Sequence, residues 1–216
     1  QSSYFDIFRN RIIFPIINPM GKVLGFGGRV LSKEDQPKYL NSPESNIFHK
    51  GKLLYGLHET AKFIRSEDQA ILVEGYMDLI ALYQAGIKNV AANLGTALTI
   101  EQAKLVKKYS QNVVVLFDGD KAGQMAMKRS LPILLEAGVL ARGMTLADAM
   151  DPDDFIKANG VEALKQELEK AEDLFIWFLK QQIKNFHAKP SEKLKVMDTL
   201  LPVLVKVSDF RLLKLY

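Results

Sequence analysis

The sequence predicts an α/β protein: a parallel sheet flanked by helices, preceded by a strand-rich segment and followed by a helical one. Three observations predict it. Between residues 70 and 144, short apolar runs alternate with stretches of helical period. Before them lie two apolar runs split by a tight turn. After them, apolar residues recur at three- and four-residue steps. The expected division is 1–66, 67–154 and 155–216.

The elements follow in order. Arg11 to Ile17 is a strand, Asn18-Pro-Met-Gly21 a turn, and Lys22 to Leu31 a second strand, which makes a hairpin. Gly25, Gly27 and Gly28 mark bulges or a close backbone approach. Pro37 to Glu44 reads as an ordered loop, with a proline near each end, and Leu53 to Arg65 as a helix. Ala70–Val73 is a strand, and Met77–Ala85 a helix stopped by Gly86. Asn89–Asn93 is a strand. Thr99 caps the next helix, with Gln102 three residues on as its partner. Val113–Phe117 is a strand, Ala122–Ala137 a helix kinked at Pro132 and ended by Gly138, and Val139–Leu146 contains a further strand. Helical period runs through Val161, Leu164, Leu168, Ala171, Phe175 and Phe178. It resumes from Leu194 to Leu204 after a break at Ala188–Ser191. Trp177 and the phenylalanines around it read as core.

Composition narrows the class. Apolar residues are 48% and charged residues 25% of the 216, as in a folded globular protein. No apolar run approaches the roughly 20 residues of a membrane span, and the first residues lack the pattern of a secretory leader. With no cysteine there is no disulfide and no thiolate zinc site, and the three histidines lack metal-ligand spacing. The net charge of +4 is segregated. Residues 1–66 hold 10 basic and 5 acidic residues, 67–154 hold 8 and 12, and 155–216 hold 11 and 8. An acidic centre beside a basic beginning suits a protein that holds metal in one place and a polyanion next to it.

The acids stand where chemistry is expected. Glu74 ends the first strand of the sheet, and Asp118 ends the third with Asp120 two residues on. Asp78 lies one turn into the helix after Glu74. Ligands of open parallel sheets collect at the carboxyl ends of the strands. Oxygen donors there select Mg²⁺ or Mn²⁺, and such ions serve phosphoryl transfer. The competing structural reading is that acids cap helix N-termini. Asp148, Asp151, Asp153 and Asp154 form a second group, with Pro152 in the first turn of a helix. Capping accounts for one or two of these four. Arg9, Arg11, Arg29, Lys38, Lys50 and Lys52, interleaved with Phe8, Phe14, Phe26, Tyr39 and Phe48, suit a path for a nucleic-acid backbone or a triphosphate.

These motifs carry a resemblance. Glu-Gly-Tyr-Met-Asp at 74–78 with Phe-Asp-Gly-Asp-Lys-Ala-Gly at 117–123 is similar to the Toprim signature of primases, topoisomerases and some nucleases. The flanks narrow it: Arg-Asn-Arg-Ile-Ile-Phe-Pro-Ile (9–16), Gly-Phe-Gly-Gly-Arg-Val-Leu (25–31), Pro-Lys-Tyr-Leu-Asn-Ser-Pro-Glu (37–44), Phe-His-Lys-Gly-Lys-Leu-Leu-Tyr-Gly (48–56) and Asp-Pro-Asp-Asp (151–154). In order and spacing they resemble the RNA polymerase core of bacterial DnaG-type DNA primases. The resemblance implies synthesis of short RNA primers on single-stranded DNA from nucleoside triphosphates (NTPs), by nucleotidyl transfer, in the bacterial cytoplasm with the replication machinery. It implies that Glu74, Asp118 and Asp120 are catalytic and hold Mg²⁺ or Mn²⁺. Asp78, Asp151 and Asp153 would support or complete a second metal position. Arg29, Lys38, Asn41 and Lys50 would receive the triphosphate and guide the RNA–DNA primer duplex, with Arg9 and Arg11 at the border. A monomer is expected. The family's zinc-binding domain, the first part of its core and its helicase-binding domain are expected to lie outside this sequence, so contact with the replicative helicase would run through those regions.

Two rival readings come from other classes. Val-Leu-Phe-Asp-Gly-Asp resembles an aspartyl-nucleophile phosphatase motif, but Ala122 stands where Thr or Val is expected, and Glu74 has no place in it. A non-catalytic Toprim module would recruit partners or DNA without chemistry, and its acids need not bind metal. A topoisomerase is disfavoured, since no separate domain carries a nucleophilic tyrosine.

Overall fold

The computed structural model describes residues 4–32, 34–146, 150–184, 189–207 and 209–215. Asp148, His187 and part of the Ala188–Ser191 break lie outside the described residues.

The first segment forms a three-stranded antiparallel sheet. β1 (Arg11–Ile17) pairs with β2 (Val23–Val30), and β2 with β3 (Tyr39–Asn41). Asn18 makes the hairpin turn, its side-chain oxygen accepting from the backbone N–H of Met20 and Lys22, both at 3.0 Å. The register shifts by one residue between Ile16 and Ile17, so a bulge does lie beside Gly25. β3 corrects the expectation of a plain loop over 37–44. Pro37 and Pro43 flank the strand rather than interrupt it, so Tyr39–Asn41 can pair at the sheet edge with Gly27–Arg29.

α1 (Leu57–Glu67) starts four residues later than expected. A short 3₁₀ turn (Lys50–Lys52) and an extended stretch precede it, and Gly56 turns the chain at φ +79°. Tyr55 spends its backbone N–H and C=O on Ala92 instead of a helix (2.8 and 3.1 Å). That bridge ties the first segment to the edge of the second sheet.

The second sheet has the order β5-β4-β6-β7-β8. β4 (Ala70–Val73), β5 (Val90–Ala92), β6 (Asn112–Phe117) and β7 (Leu140–Thr145) are parallel, as the βα alternation requires. Side chains alternate across it. Ala70, Leu72, Val113 and Val115 join the core under α1, α3 (Ile100–Lys107), α4 (Lys121–Ala137) and α7 (Leu174–Ile183). Ile71, Val73, Val114 and Leu116 face α2 (Tyr76–Gln84), α5 (Pro152–Asn159) and α6 (Val161–Glu169). Helices on both faces explain why β4 is buried along its whole length. From β4 the chain passes through α2 to β5 on one side, then through α3 to β6 on the other. The strand order reverses there, which opens a crevice at the carboxyl ends of β4 and β6.

The helix-stop signals hold. Gly86 (φ +90°) follows α2, and Gly138 (φ +68°) ends α4, which stays helical through Pro132. Thr99 and Gln102 form the capping box of α3. The long periodic run after 160 is not one helix. β8 (Glu172–Asp173) adds an antiparallel edge to β7, and the Asp173 carboxylate caps α7 through the N–H of Phe175 and Ile176. α8 (Pro190–Leu204) and α9 (Phe210–Leu215) end the described chain.

One glycine sets how closely α4 meets the crevice. A side chain at Gly123 would run into the backbone of Asp118. Gly123→Ala should therefore push α4 away from the 118–120 loop and cost about 1–3 kcal/mol of stability. Urea denaturation measures this, and a variant as stable as the parent would contradict the packing described.

Candidate active site at the carboxyl ends of β4 and β6

Each acid reaches the crevice by its own local device. Glu74 is the first residue past β4, and its Oε1 accepts from the backbone N–H of Asp118 at 3.2 Å. That bond couples the ends of the two strands. Asp78 turns back from the first turn of α2 and accepts from Gly75 N–H at 2.9 Å. Asp120 caps α4 through Gly123 N–H, and Asp151 caps α5 through Asp154 N–H, both at 2.8 Å. The capping reading of the sequence is thus correct for Asp120 and Asp151. It does not compete with the functional one, because each capping bond engages one oxygen of a carboxylate that has two. Asp153, in the first turn of α5, pairs with Lys157 at 2.6 Å.

A cavity of about 300 Å³ lies between this edge and the antiparallel sheet. Glu74, Asp78, Asp118, Asp151 and Asp153 line its acidic side, and Arg29, Lys38, Tyr39 and Asn41 its other side. Five of the predicted acids and part of the predicted basic segment therefore meet across one space, while Asp120, at the N-terminus of α4, does not line it. Arg29 and Lys38 both lie 5.7 Å from the centre of the Tyr39 ring, within cation–π range.

Electrostatics mark the acidic side as under-compensated. Burial first, then the charges of Asp118, Asp151 and Glu74, raise the Asp78 carboxyl to about 7, against the N–H bond from Gly75. Burial, with Glu74, Asp151 and Asp120, raises Asp118 to about 6, and Lys38 across the cavity pulls the other way. Glu74 is raised too, chiefly by burial and then by Asp120, while the Asp118 N–H and Arg129 oppose the shift. Carboxylates that raise one another's pKa are a place for a cation.

The donor set fits a hard divalent ion: every candidate is an oxygen and the local charge is negative. Among the described residues no three acids converge as a finished metal cluster.

Other expected residues have different surroundings. Asn41 is held at both ends of its amide: Nδ2 donates to Leu94 C=O (2.9 Å), and Oδ1 accepts from the Tyr76 hydroxyl. It braces the antiparallel sheet against the end of β5. Arg11 donates to the carbonyls of Gly28 (3.4 Å) and Pro37 (2.8 Å), which fastens β1 to the loop before β3. Lys50 sits in the 3₁₀ turn and does not line the cavity, and neither does Arg9. Sequence reasoning missed Tyr76. Its ring stacks on Phe14 (5.1 Å) and meets Tyr55 edge-on (4.6 Å). Any side chain at Gly27 would strike it. The glycine-rich β2 was the available signal for that close approach. Arg129 was also missed, although helical spacing places it on the face of α4 that carries Ala126 and Ile133.

A basic antiparallel segment facing acids at the switch point of a parallel sheet defines a class: a Toprim-type catalytic core with its preceding basic subdomain. Comparison with known proteins agrees. Residues 1–61 match the family model "DNA primase catalytic core, N-terminal domain", and residues 71–156 match "Toprim-like", a domain type that binds divalent metal. The DNA primase of Aquifex aeolicus is 46% identical over 189 residues, covering 88% of this chain and 38% of its own length. That of Clostridium acetobutylicum is 48% identical over 192 residues, covering 89% and 32%. Among solved structures, a DNA primase domain from Pseudomonas aeruginosa superposes with a TM-score of 0.91 at 39% identity, covering 97% of this chain and 67% of that one. A DnaG primase catalytic domain bound to ssDNA gives 0.87 at 38%, covering 96% and 68%. The chain belongs to the DnaG family of DNA primases. It spans about a third of the length of the curated relatives (38% and 32% in the two cases above). Membership sets aside the aspartyl-phosphatase reading, which had left Glu74 unexplained.

The raised acids predict a pH dependence with a definite sign. Asp78 and Asp118 bind protons more tightly folded than unfolded, so their contribution to stability is full below pH about 4 and is lost as pH rises through about 6 to 7. In metal-free buffer the thermal midpoint should fall between pH 5 and pH 8. Asp78→Asn should flatten that slope, and Mn²⁺ should restore stability at pH 8. A midpoint that rises over this range, or ignores Mn²⁺, would contradict the description of the crevice.

Proposed function

We propose that this chain is the catalytic core of an enzyme that makes short RNA primers on a single-stranded DNA template by metal-assisted nucleotidyl transfer. The observation that carries the reading is the opposition of Arg29 and Lys38 to Glu74, Asp78 and Asp118 across one cavity. A triphosphate needs cations along its length, and its reacting phosphate needs metal-binding acids. The relatives named DNA primase and the DnaG domain bound to ssDNA support the same assignment.

Glu74, Asp118 and Asp120 would hold the catalytic ion, Mg²⁺ or Mn²⁺. Asp78 and Asp151 would serve a second position, with Asp153 behind them. When bound, such an ion makes the attacking hydroxyl more acidic and offsets charge on the phosphate. The protein does the rest. Arg29 and Lys38 orient the triphosphate, and each is attracted to the face of the Tyr39 ring. The bond from Asp118 N–H to Glu74 keeps the two strand ends in register, so the acids do not drift apart under their own repulsion. Asn41 and Tyr76 hold the basic sheet at its distance from the acids. We assign residues 1–66, 67–154 and 155–216 as the basic, Toprim and helical subdomains, and the bacterial cytoplasm as the place of action.

Primer synthesis on single-stranded DNA tests the assignment in the protein at its natural length. Glu74→Gln and Asp118→Asn should each lower the rate by about 10²-fold or more, the scale of losing one transition-state electrostatic contact. Lys38→Ala should instead raise the NTP concentration needed for half-maximal rate. Calorimetry with Mn²⁺ separates this reading from a non-catalytic Toprim module. Parent protein that binds no Mn²⁺, together with Glu74→Gln at the parent's rate, would overturn it.

A further inference from the structure

A second cavity, of about 420 Å³, adjoins the first and shares Glu74 and Gly95 with it. The β5–α3 loop, from Asn93 to Leu98, forms one wall. One face of α4 forms the other, with Ala126, Arg129, Ser130 and Ile133 at helical spacing. Phe117 closes the floor. The volume is within the range of small-molecule sites, and the lining is largely apolar with a few polar groups, as in such sites.

Two polar groups there have no hydrogen-bond partner for a key atom among the described residues. Asn93 is 4% exposed, and its Oδ1 has no hydrogen-bond partner among the described residues. A buried carbonyl oxygen without a donor costs free energy, so the position has a reason other than packing. Arg129 makes no hydrogen bond or ion pair among the described residues, yet it lines the cavity close enough to Glu74 to oppose its shift. A ligand for this space has a flat apolar body, a hydrogen-bond donor for Asn93 and negative charge for Arg129. A nucleoside phosphate has all three.

Position makes the assignment more specific. Glu74 stands between this cavity and the one holding Arg29 and Lys38. In-line displacement at phosphorus requires the nucleophile and the leaving group on opposite sides. If the incoming triphosphate lies against Arg29 and Lys38, the attacking hydroxyl comes from the Arg129 side. We propose that the Asn93–Arg129 cavity is the subsite for the initiating nucleotide, the one that supplies the 3′ hydroxyl when no primer yet exists. This rests on the nucleotidyl-transfer reading above. The 3′ oxygen bonds to the α-phosphorus of the second nucleotide and the α–β bridging bond breaks. Pyrophosphate leaves on the Arg29–Lys38 side, and the hydroxyl proton passes to solvent.

Two variants and two assays test it in the protein at its natural length. Asn93→Leu replaces the orphan amide with an apolar group of similar size, so stability should hold or rise while nucleotide binding weakens. Arg129→Ala removes an exposed side chain at little risk to folding. Each should raise by about tenfold the concentration of the first nucleotide needed for dinucleotide synthesis, the worth of roughly one charged hydrogen bond. Nucleotide addition to a preannealed primer, where base pairing holds the 3′ end, should change by less than about threefold on the same scale. Equal losses in both reactions, or none in either, would overturn the proposal. Independently, GMP titrated into metal-free protein should move the amide resonances of 93–98 and 126–133, and inorganic phosphate only those near Arg129. No movement up to ~10 mM GMP, the limit of weak binding, or identical shifts from phosphate alone, would also overturn it. A parent protein that adds no nucleotide even to a preannealed primer would sink the primase reading, while the GMP titration would still report on the cavity.

Discussion

β4 and β6 run side by side with Leu72 opposite Val115, and each ends one residue before an acid, Glu74 and Asp118. Continued past the strands, this register sets Glu74 level with Phe117 and one residue short of Asp118, whose N–H reaches back to the Glu74 carboxylate at the point where the strand order reverses. A slip of one residue would turn Glu74 to the opposite face and exchange every side chain of the strand between the two helix layers. The apolar alternation of Ile71, Val73, Val114 and Leu116 against Leu72, Val113 and Val115 forbids that slip, because both faces are packed. The chemistry of the site is thus anchored by the least chemical residues of the sheet.

Holding like charges together needs a counterweight, and the structure supplies it largely through the backbone. Four acids accept from main-chain N–H groups: Glu74 from Asp118, Asp78 from Gly75, Asp120 from Gly123 and Asp151 from Asp154. Three of these donors lie at helix N-termini, where the helix dipole favours negative charge. The balance is incomplete, since Asp78 and Asp118 stay raised to about 7 and about 6. That residual repulsion is what a divalent ion and its phosphate ligand would relieve. Stability given up at this edge is the counterpart of affinity for a cation.

Much of this was legible in the sequence, for reasons that are local. Strand ends, the Gly86 and Gly138 stops and the Thr99–Gln102 box depend on neighbouring residues, so spacing reveals them. The acids at 74 and 118 were legible because each directly follows a strand-like run, and Asp120 because it stands two residues further on, ahead of a helix. What stayed hidden depends on distant partners. β3 forms only because β2 offers its edge to Tyr39–Asn41, and Tyr55 leaves the helical path only because Ala92 accepts it. The bracing of Asn41 by Tyr76 and Leu94 spans 35 and 53 residues of sequence, beyond any periodic signal. The Arg129 face of α4 was readable as a helix face, but not as the wall of a cavity.

Nucleotidyl transfer at this site would require a divalent ion at the β4–β6 edge with a triphosphate on the basic side. The most direct measurement is a crystal structure with Mn²⁺ and a non-hydrolysable NTP, with the metal located by anomalous scattering. The expected peak lies about 2.1 Å from an Asp118 oxygen and from at least one oxygen of Glu74 or Asp120, with the triphosphate against Arg29 and Lys38. A bound nucleotide whose metal sits away from these carboxylates would contradict the account.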